Sequence, residues 1–266
     1  MDFAAFHAFH APTLETDEAR HYMLLSALAD LATYRRHDFR GWTFSGAGAC
    51  AIQPTSDYAI MLGELSSGEC ETLAEELARD PIPGVMGPDD GPDCFVAAAQ
   101  GLGMRFEPPL RNRIHCLDEL PPPIGVEGEA RAVTPADAAL FVEWMRAYMR
   151  QALPRDPMPD SAWMERWSVD SRYLFWTVRG EPVAVAGIVA ETRTGAAVTG
   201  VYTREDMRGR GYASAVTAAA ARAILEDGRS RVFLMANTGN APALRAYASI
   251  GFRQVAGFTH YWRLYS

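Results

Sequence analysis

VYTREDMRGRGYA, Val201 to Ala213, runs from a strand through a basic glycine turn into a helix expected over Gly211 to Asp227. Gly209 and Gly211 let the backbone approach a ligand with no Cβ in the way. The helix that begins there offers unpaired N–H groups and the positive end of its dipole. Arg208 and Arg210 add two permanent charges with planar forks suited to phosphate. A charge-assisted bond contributes roughly 1.5–3 kcal/mol and the helix end about 0.3–1 kcal/mol, so several together hold a diphosphate at about micromolar strength. The stretch therefore reads as an anion cradle. A plain surface loop can have the same composition, so its neighbours decide.

Upstream, three strands in series are expected at Tyr173–Arg179, Pro182–Glu191 and Ala196–Thr203, joined by Gly180-Glu181 and Arg193-Thr194-Gly195. Downstream, the alanine-rich Tyr212–Asp227 is a strong helix former that Gly228 ends. Arg231–Ala236 is continuously apolar from Val232 to Met235, as a buried parallel strand requires. Asn237 closes it, and Asn240 caps a new helix with Pro242 in the first turn. Two short strands are expected between Val255 and Tyr265. Before these elements, Ala130–Val133 reads as a strand, and Thr134-Pro135 opens a helix to about Gln151. Ser161–Trp167 fits a short helix. Trp144, Tyr148, Trp163 and Trp167 pack a core or line a substrate pocket.

Two segments carry a family resemblance. Arg208-x-x-Gly211-x-Ala213 after Val-Tyr-Thr resembles the acetyl-CoA pyrophosphate signature of the GCN5-related N-acetyltransferases, the GNAT superfamily. Asn237–Phe252, NTGNAPALRAYASIGF, resembles its second motif. The resemblance covers the second half of the chain. It implies the GNAT acyl-CoA N-acyltransferase fold, an α/β arrangement with a mixed twisted sheet flanked by helices. It also implies acetyl-CoA as co-substrate, with no metal.

By that resemblance the strand end Val201, Tyr202 and Thr203 flanks the pantetheine arm, with the backbone of Val201 and Thr203 bonding it. The N–H groups of Arg208, Gly209, Arg210, Gly211, Tyr212 and Ala213 receive the pyrophosphate. Asn237 bonds the pantetheine amides or merely completes the strand end. Asn240 and Tyr247 lie two helical turns apart, on one face with Ala243. Tyr247 matches the position of a tyrosine that protonates the departing thiolate; a core aromatic is the alternative. A phenol with a pKa near 10 stays protonated at neutral pH and can donate. The general base is open among Glu191, His260 and a water relay.

The 266 residues hold 48% hydrophobic and 22% charged side chains with net charge -8, the profile of a soluble globular protein of one or two domains. No apolar run is long enough for a transmembrane span and the N-terminus lacks a signal-peptide pattern, so no membrane partner and a cytoplasmic location are expected. Residues 1–128 carry 8 arginines against 20 acids, whereas 129–266 carry 17 against 13. Such an acidic first half disfavours nucleic acid while leaving the second able to attract a small anion. All 25 basic residues are arginine. Cys50, Cys70, Cys94 and Cys116 are widely spaced, without metal-site spacing, and residues 129–266 contain none. Acyl transfer in that half is thus expected to be direct, in a ternary complex.

In the first half, helices are expected at Leu14–Arg36, Glu69–Arg79 and Cys94–Gln100, and strands near Trp42–Ser45 and Tyr58–Leu62. Met104–Glu107 and Arg113–Leu117 are expected to pair as a hairpin. PIPGVMGPDDGPD reads as turns. This order resembles a degenerate copy of the GNAT order, which makes the chain a tandem; an unrelated α/β cap is the alternative. At the position of the pyrophosphate turn stands GELSSGECE, whose Glu64, Glu69 and Glu71 repel phosphate. The proline-rich ELPPPIGVEGEAR places a boundary near residue 126, giving domains 1–126 and 127–266. The expected activity is acetyl transfer from acetyl-CoA to a primary amine on a small molecule. A silent CoA-binding sensor or scaffold is the alternative. Acceptor and oligomeric state are open.

Overall fold

Asp2 starts the first helix, α1 (Phe3–Leu14), by accepting the Ala5 N–H at 2.8 Å. The computed structural model describes residues 2–34, 39–153, 155, 158–170 and 172–265. A short 3₁₀ turn separates α1 from α2 (Glu18–Tyr34). The single helix expected over Leu14–Arg36 is therefore α2 alone, preceded by an unexpected α1; Arg35 and Arg36 lie outside the described residues. Next come β1 (Arg40–Thr43), β2 (Cys50–Gln53), β3 (Ile60–Leu62), α3 (Ser67–Leu77), β4 (Gly84–Pro88), α4 (Gly91–Gly101), β5 (Arg105–Phe106) and β6 (Leu110–Leu117). The order continues with β7 (Glu129–Ala132), α5 (Ala138–Ala152), α6 (Ser161–Asp170), β8 (Arg172–Val178), β9 (Glu181–Val189), β10 (Gly195–Thr203), α7 (Tyr212–Glu226), β11 (Arg231–Asn237), α8 (Ala241–Ile250) and β12 (Arg253–Leu264).

The chain divides into two units, Met1–Ile114 with Gln254–Ser266, and His115–Arg253. In the first, β1, β2 and β3 run antiparallel in succession, β3 and β4 are parallel, and β12 joins β4 antiparallel from Phe258↔Pro88 to Trp262↔Gly84. Leu73, Leu77, Ile60, Val85 and Phe95 form its core under α3 and α4. Three expectations are corrected here. The segment read as turns contains the fully buried β4. Its Gly84 is required because a Cβ there would overlap the Tyr261 carbonyl oxygen. β5 pairs with β12 at Arg263↔Phe106, not with the segment after it. The two short terminal strands are one long strand, and it completes the first unit's sheet.

The start of α3 is closed on itself. Glu69 takes the Ser66 N–H and hydroxyl at 2.9 and 2.8 Å with one oxygen, and the Ser45 N–H and hydroxyl at 3.0 and 2.7 Å with the other. These bonds, led by the Ser45 hydroxyl, pull its carboxyl from 4.5 down to about 2. A depressed folded pKa gives stability that is present above the unfolded value and lost as pH falls through the folded one. Glu69→Gln is expected to cost about 1 kcal/mol at neutral pH. Its melting temperature is expected to fall less than that of the parent between pH values near 4.5 and near 2, which thermal melts across that range check.

In the second unit β7, β8, β9 and β10 are antiparallel neighbours and β11 is parallel to β10. α7 packs its small face, Ala215, Val216, Ala220 and Ala221, on one side of the sheet, while Phe141, Trp144 and Met145 of α5 cover the other. The proline-rich connector is counted in this unit, where Arg222 donates to the Pro121 carbonyl at 2.8 Å. Among the described residues no helix is long and apolar enough to cross a membrane, and no three His, Cys, Asp or Glu side chains gather as a metal site.

Candidate functional site

β10 and β11 are in register only at Gly195↔Arg231, Ala196↔Val232 and Ala197↔Phe233. At that vertex Gly195 has no Cβ to collide with the Phe233 ring. Beyond it β10 stays on β9, with Tyr202↔Val185 and Thr203↔Ala184, but has no partner on β11. An irregularity between Thr199 and Tyr202 turns the strand there, and Gly200 sits at φ +60°. The two strands thus part above Ala197, leaving the backbone from Val198 to Thr203 without a strand partner on that side. An isolated glycine inside a strand pattern, V-T-G-V-Y, was the sequence signal for this bulge, and our reading of the sequence did not use it.

The turn that follows is built as expected at the backbone. A 3₁₀ turn spans Glu205–Met207, Gly209 and Gly211 take φ +77° and +83°, and Gly211 is the N-cap of α7. Having no side chain, Gly211 caps nothing. The amides from Gly209 to Ser214 donate to no acceptor among the described residues, whereas Ala215 N–H already reaches Gly211 O. A Cβ at Gly211 would come within 3.0 Å of Val126 Cγ1.

The arginine side chains are placed differently from a simple phosphate clamp. Arg208 Nε donates to the Thr203 carbonyl at 3.2 Å, its Nη2 reaches Gln151 Oε1 at 3.2 Å, and its guanidinium lies over the Tyr202 ring. It braces the strand end through the carbonyl of Thr203, one of the two residues whose backbone is expected to bond the pantetheine arm. Arg210 donates to the Asp206 carbonyl at 3.3 Å. Asp206 is held by Arg204, and Glu205 lies 3.6 Å from Arg208. The backbone amides, rather than the side chains, are the turn's free donors. Tyr202 is buried against Trp144; Val201 packs with the α7 core, and the Thr203 hydroxyl is buried without a partner. Tyr212 is buried and Ala213 partly so at the helix start.

On the other strand, Asn237 Oδ1 accepts the Gly239 N–H at 2.7 Å, which gives its side chain a structural role at the strand end. Asn240 caps α8 by accepting the Ala243 N–H at 3.1 Å. Tyr247 packs against the cluster that holds Val201, Tyr212 and Leu234, with Phe252 edge-on at 6.2 Å and the His115 ring at 6.5 Å. Burial, and secondarily the Tyr148 hydroxyl, raises its phenol well above the usual tyrosine value. No hydrogen bond joins its hydroxyl to another described residue. Tyr148 exerts the same influence on Tyr173, whose fully buried hydroxyl has no hydrogen-bond partner among the described residues and faces Gly200. Tyr173 therefore stands at the bulge, with Tyr148 close enough to act on both Tyr173 and Tyr247, and of the three only Tyr173 carries no role in the sequence reading.

Glu191 is tied to Arg229 at 2.6 Å, and His260 belongs to the first unit, stacked on Trp262. Cys116, grouped with the first half in the sequence, falls in the second unit, buried on β6. Strand alternation puts it on the face opposite His115 and Leu117, away from Tyr247. A hollow of about 390 Å³ lined by Val133, Tyr173, Ile188 and Ala223 lies toward the other end of α7 from Gly211.

Residues 177–263 match the family model described as FR47-like protein. No curated protein matches the sequence. Many solved structures share the fold. A GNAT-family protein from Novosphingobium aromaticivorans is 22% identical, with TM-score 0.57, covering 92% of this chain and 99% of its own. A GCN5-related N-acetyltransferase from Kribbella flavida is 18% identical, with TM-score 0.62, covering 92% and 96%. A tandem GNAT protein from the clavulanic acid biosynthesis pathway is 10% identical, with TM-score 0.56, covering 89% and 86%.

Proposed function

We propose that this chain, whose fold is that of the GNAT acetyltransferases, moves an acetyl group from acetyl-CoA to a primary amine of a small molecule by direct transfer in a ternary complex. One observation carries this: β10 leaves β11 above Ala197 and ends in a turn whose amides from Gly209 to Ser214 have no acceptor among the described residues. A ligand with an extended amide-bearing arm and a diphosphate matches both halves of that opening, the strand edge and the helix start. The residues fit such a group. Gly211 keeps its face clear of a side chain, and the Thr203 hydroxyl lacks a bonding partner. Acetyl-CoA would supply the activated acyl group. Val201 and Tyr202 hold the strand edge in place, the turn amides bind the diphosphate, and Tyr247 keeps a proton available on its hydroxyl.

Incubating the chain with acetyl-CoA and a panel of small primary amines is expected to give free CoA together with an acetylated amine seen by mass spectrometry. Calorimetric CoA binding with no acceptor turned over would favour the reading as a silent CoA-binding sensor. Absence of both would remove the proposal.

A further inference from the structure

The first unit repeats the strand order of the site above, with the opposite chemistry. β3 and β4 are parallel neighbours followed by helices α3 and α4, as β10 and β11 are followed by α7 and α8. At the carboxyl ends of β3 and β4, where open α/β sheets bind ligands, lies a hollow of about 370 Å³ lined by Arg20, Gly63, Glu64, Ser66, Asp90 and Gly91. Its anion-binding features have been removed. Glu69 occupies the amide at the start of α3, and Pro92 deletes one from the first turn of α4. Glu64, Asp89 and Asp90 face one arginine, Arg20, which lies 3.1 Å from Asp89 and 4.0 Å from Glu64.

A second, independent feature points the same way. His21 is only 4% exposed; the Leu14 carbonyl is a backbone partner of its ring, while Nε2 lies 3.6 Å from Glu64 Oε1, beyond hydrogen-bond length. Desolvation lowers its pKa, so at neutral pH the imidazole has a lone pair to offer. A buried acceptor left unpaired beside a carboxylate is completed by a donor carrying positive charge.

We propose that this hollow binds a linear aliphatic diammonium ion, with one ammonium against Glu64 and His21 and the other against Asp90. Two positive charges match the excess of carboxylates over Arg20. The separation of the acids, which form no common metal site among the described residues, favours two joined charges over one compact ion.

The probe is 1,4-diaminobutane, titrated calorimetrically into the full chain without acetyl-CoA. Binding is expected at sub-millimolar concentration, weakening with added salt. The pair Glu64→Gln and Asp90→Asn is expected to reduce affinity at least roughly tenfold, with the melting temperature retained. 1-Aminobutane and magnesium ion are expected to bind far more weakly. Wild-type affinity in the folded double variant overturns the proposal, as does absence of binding to the parent or preference for magnesium. Loss of binding in a Gly211→Val variant but not in the acidic pair would place the diamine in the second unit and equally overturn it. Acetyl transfer is not measured, so failure here is distinct from failure of the proposed enzyme.

Discussion

Tyr247→Phe is expected to leave acetyl-CoA affinity within a few-fold of the parent while turnover at saturating amine falls by about 10²–10⁴, the usual contribution of a positioned general acid. The substitution removes one oxygen that no described residue hydrogen-bonds, so the packing against Phe252 and the Val201–Tyr212 cluster is retained. Stability is therefore expected to change little, and a melting curve separates loss of function from loss of fold. The pH dependence sharpens the test. Because burial raises the phenol's pKa, the proton stays on Tyr247 beyond the range of an ordinary tyrosine, and any alkaline fall in turnover is expected above the usual value near 10. Unchanged turnover would assign Tyr247 to the core alone.

The second large effect is expected from Arg208→Ala combined with Gly211→Val, which is predicted to abolish acetyl-CoA binding in calorimetry. Gly211 stands at φ +83°, where a β-branched residue is strained by about 1–3 kcal/mol. Its new Cβ would also press on Val126 from 3.0 Å. Relief requires the helix start to move, which turns the amides away from their common focus. The arginine half acts through the brace on the Thr203 carbonyl, so Arg208→Ala alone is expected to weaken binding by less than the double change. If the folded double variant binds like the parent, the cradle is misplaced.

Much of the second unit was legible because its signals are local. The glycine turn, the alanine-rich α7, the apolar β11 and the Asn240–Pro242 helix start each follow from a few adjacent residues. The turn's backbone was also legible, since only glycine occupies φ near +80° without strain. The side chains were not. Arg208 has the chemistry of a phosphate ligand but finds a carbonyl five residues back, a competition that composition does not reveal. In the first half β4 was hidden because Gly84, Gly87 and Pro88 signal turns, whereas the glycine at 84 is demanded by close backbone approach from a strand about 170 residues later in the chain. Pairing that distant leaves no periodic trace.

That late partner bears on how the protein is made. The first half leaves the ribosome with the β4 edge bare, because the segment that covers it, Phe258 to Trp262, follows it by about 170 residues. The early half must wait, exposed to wrong partners and to chaperones, until those later residues have emerged. A stop codon near residue 253 would thus damage the beginning of the molecule rather than its end.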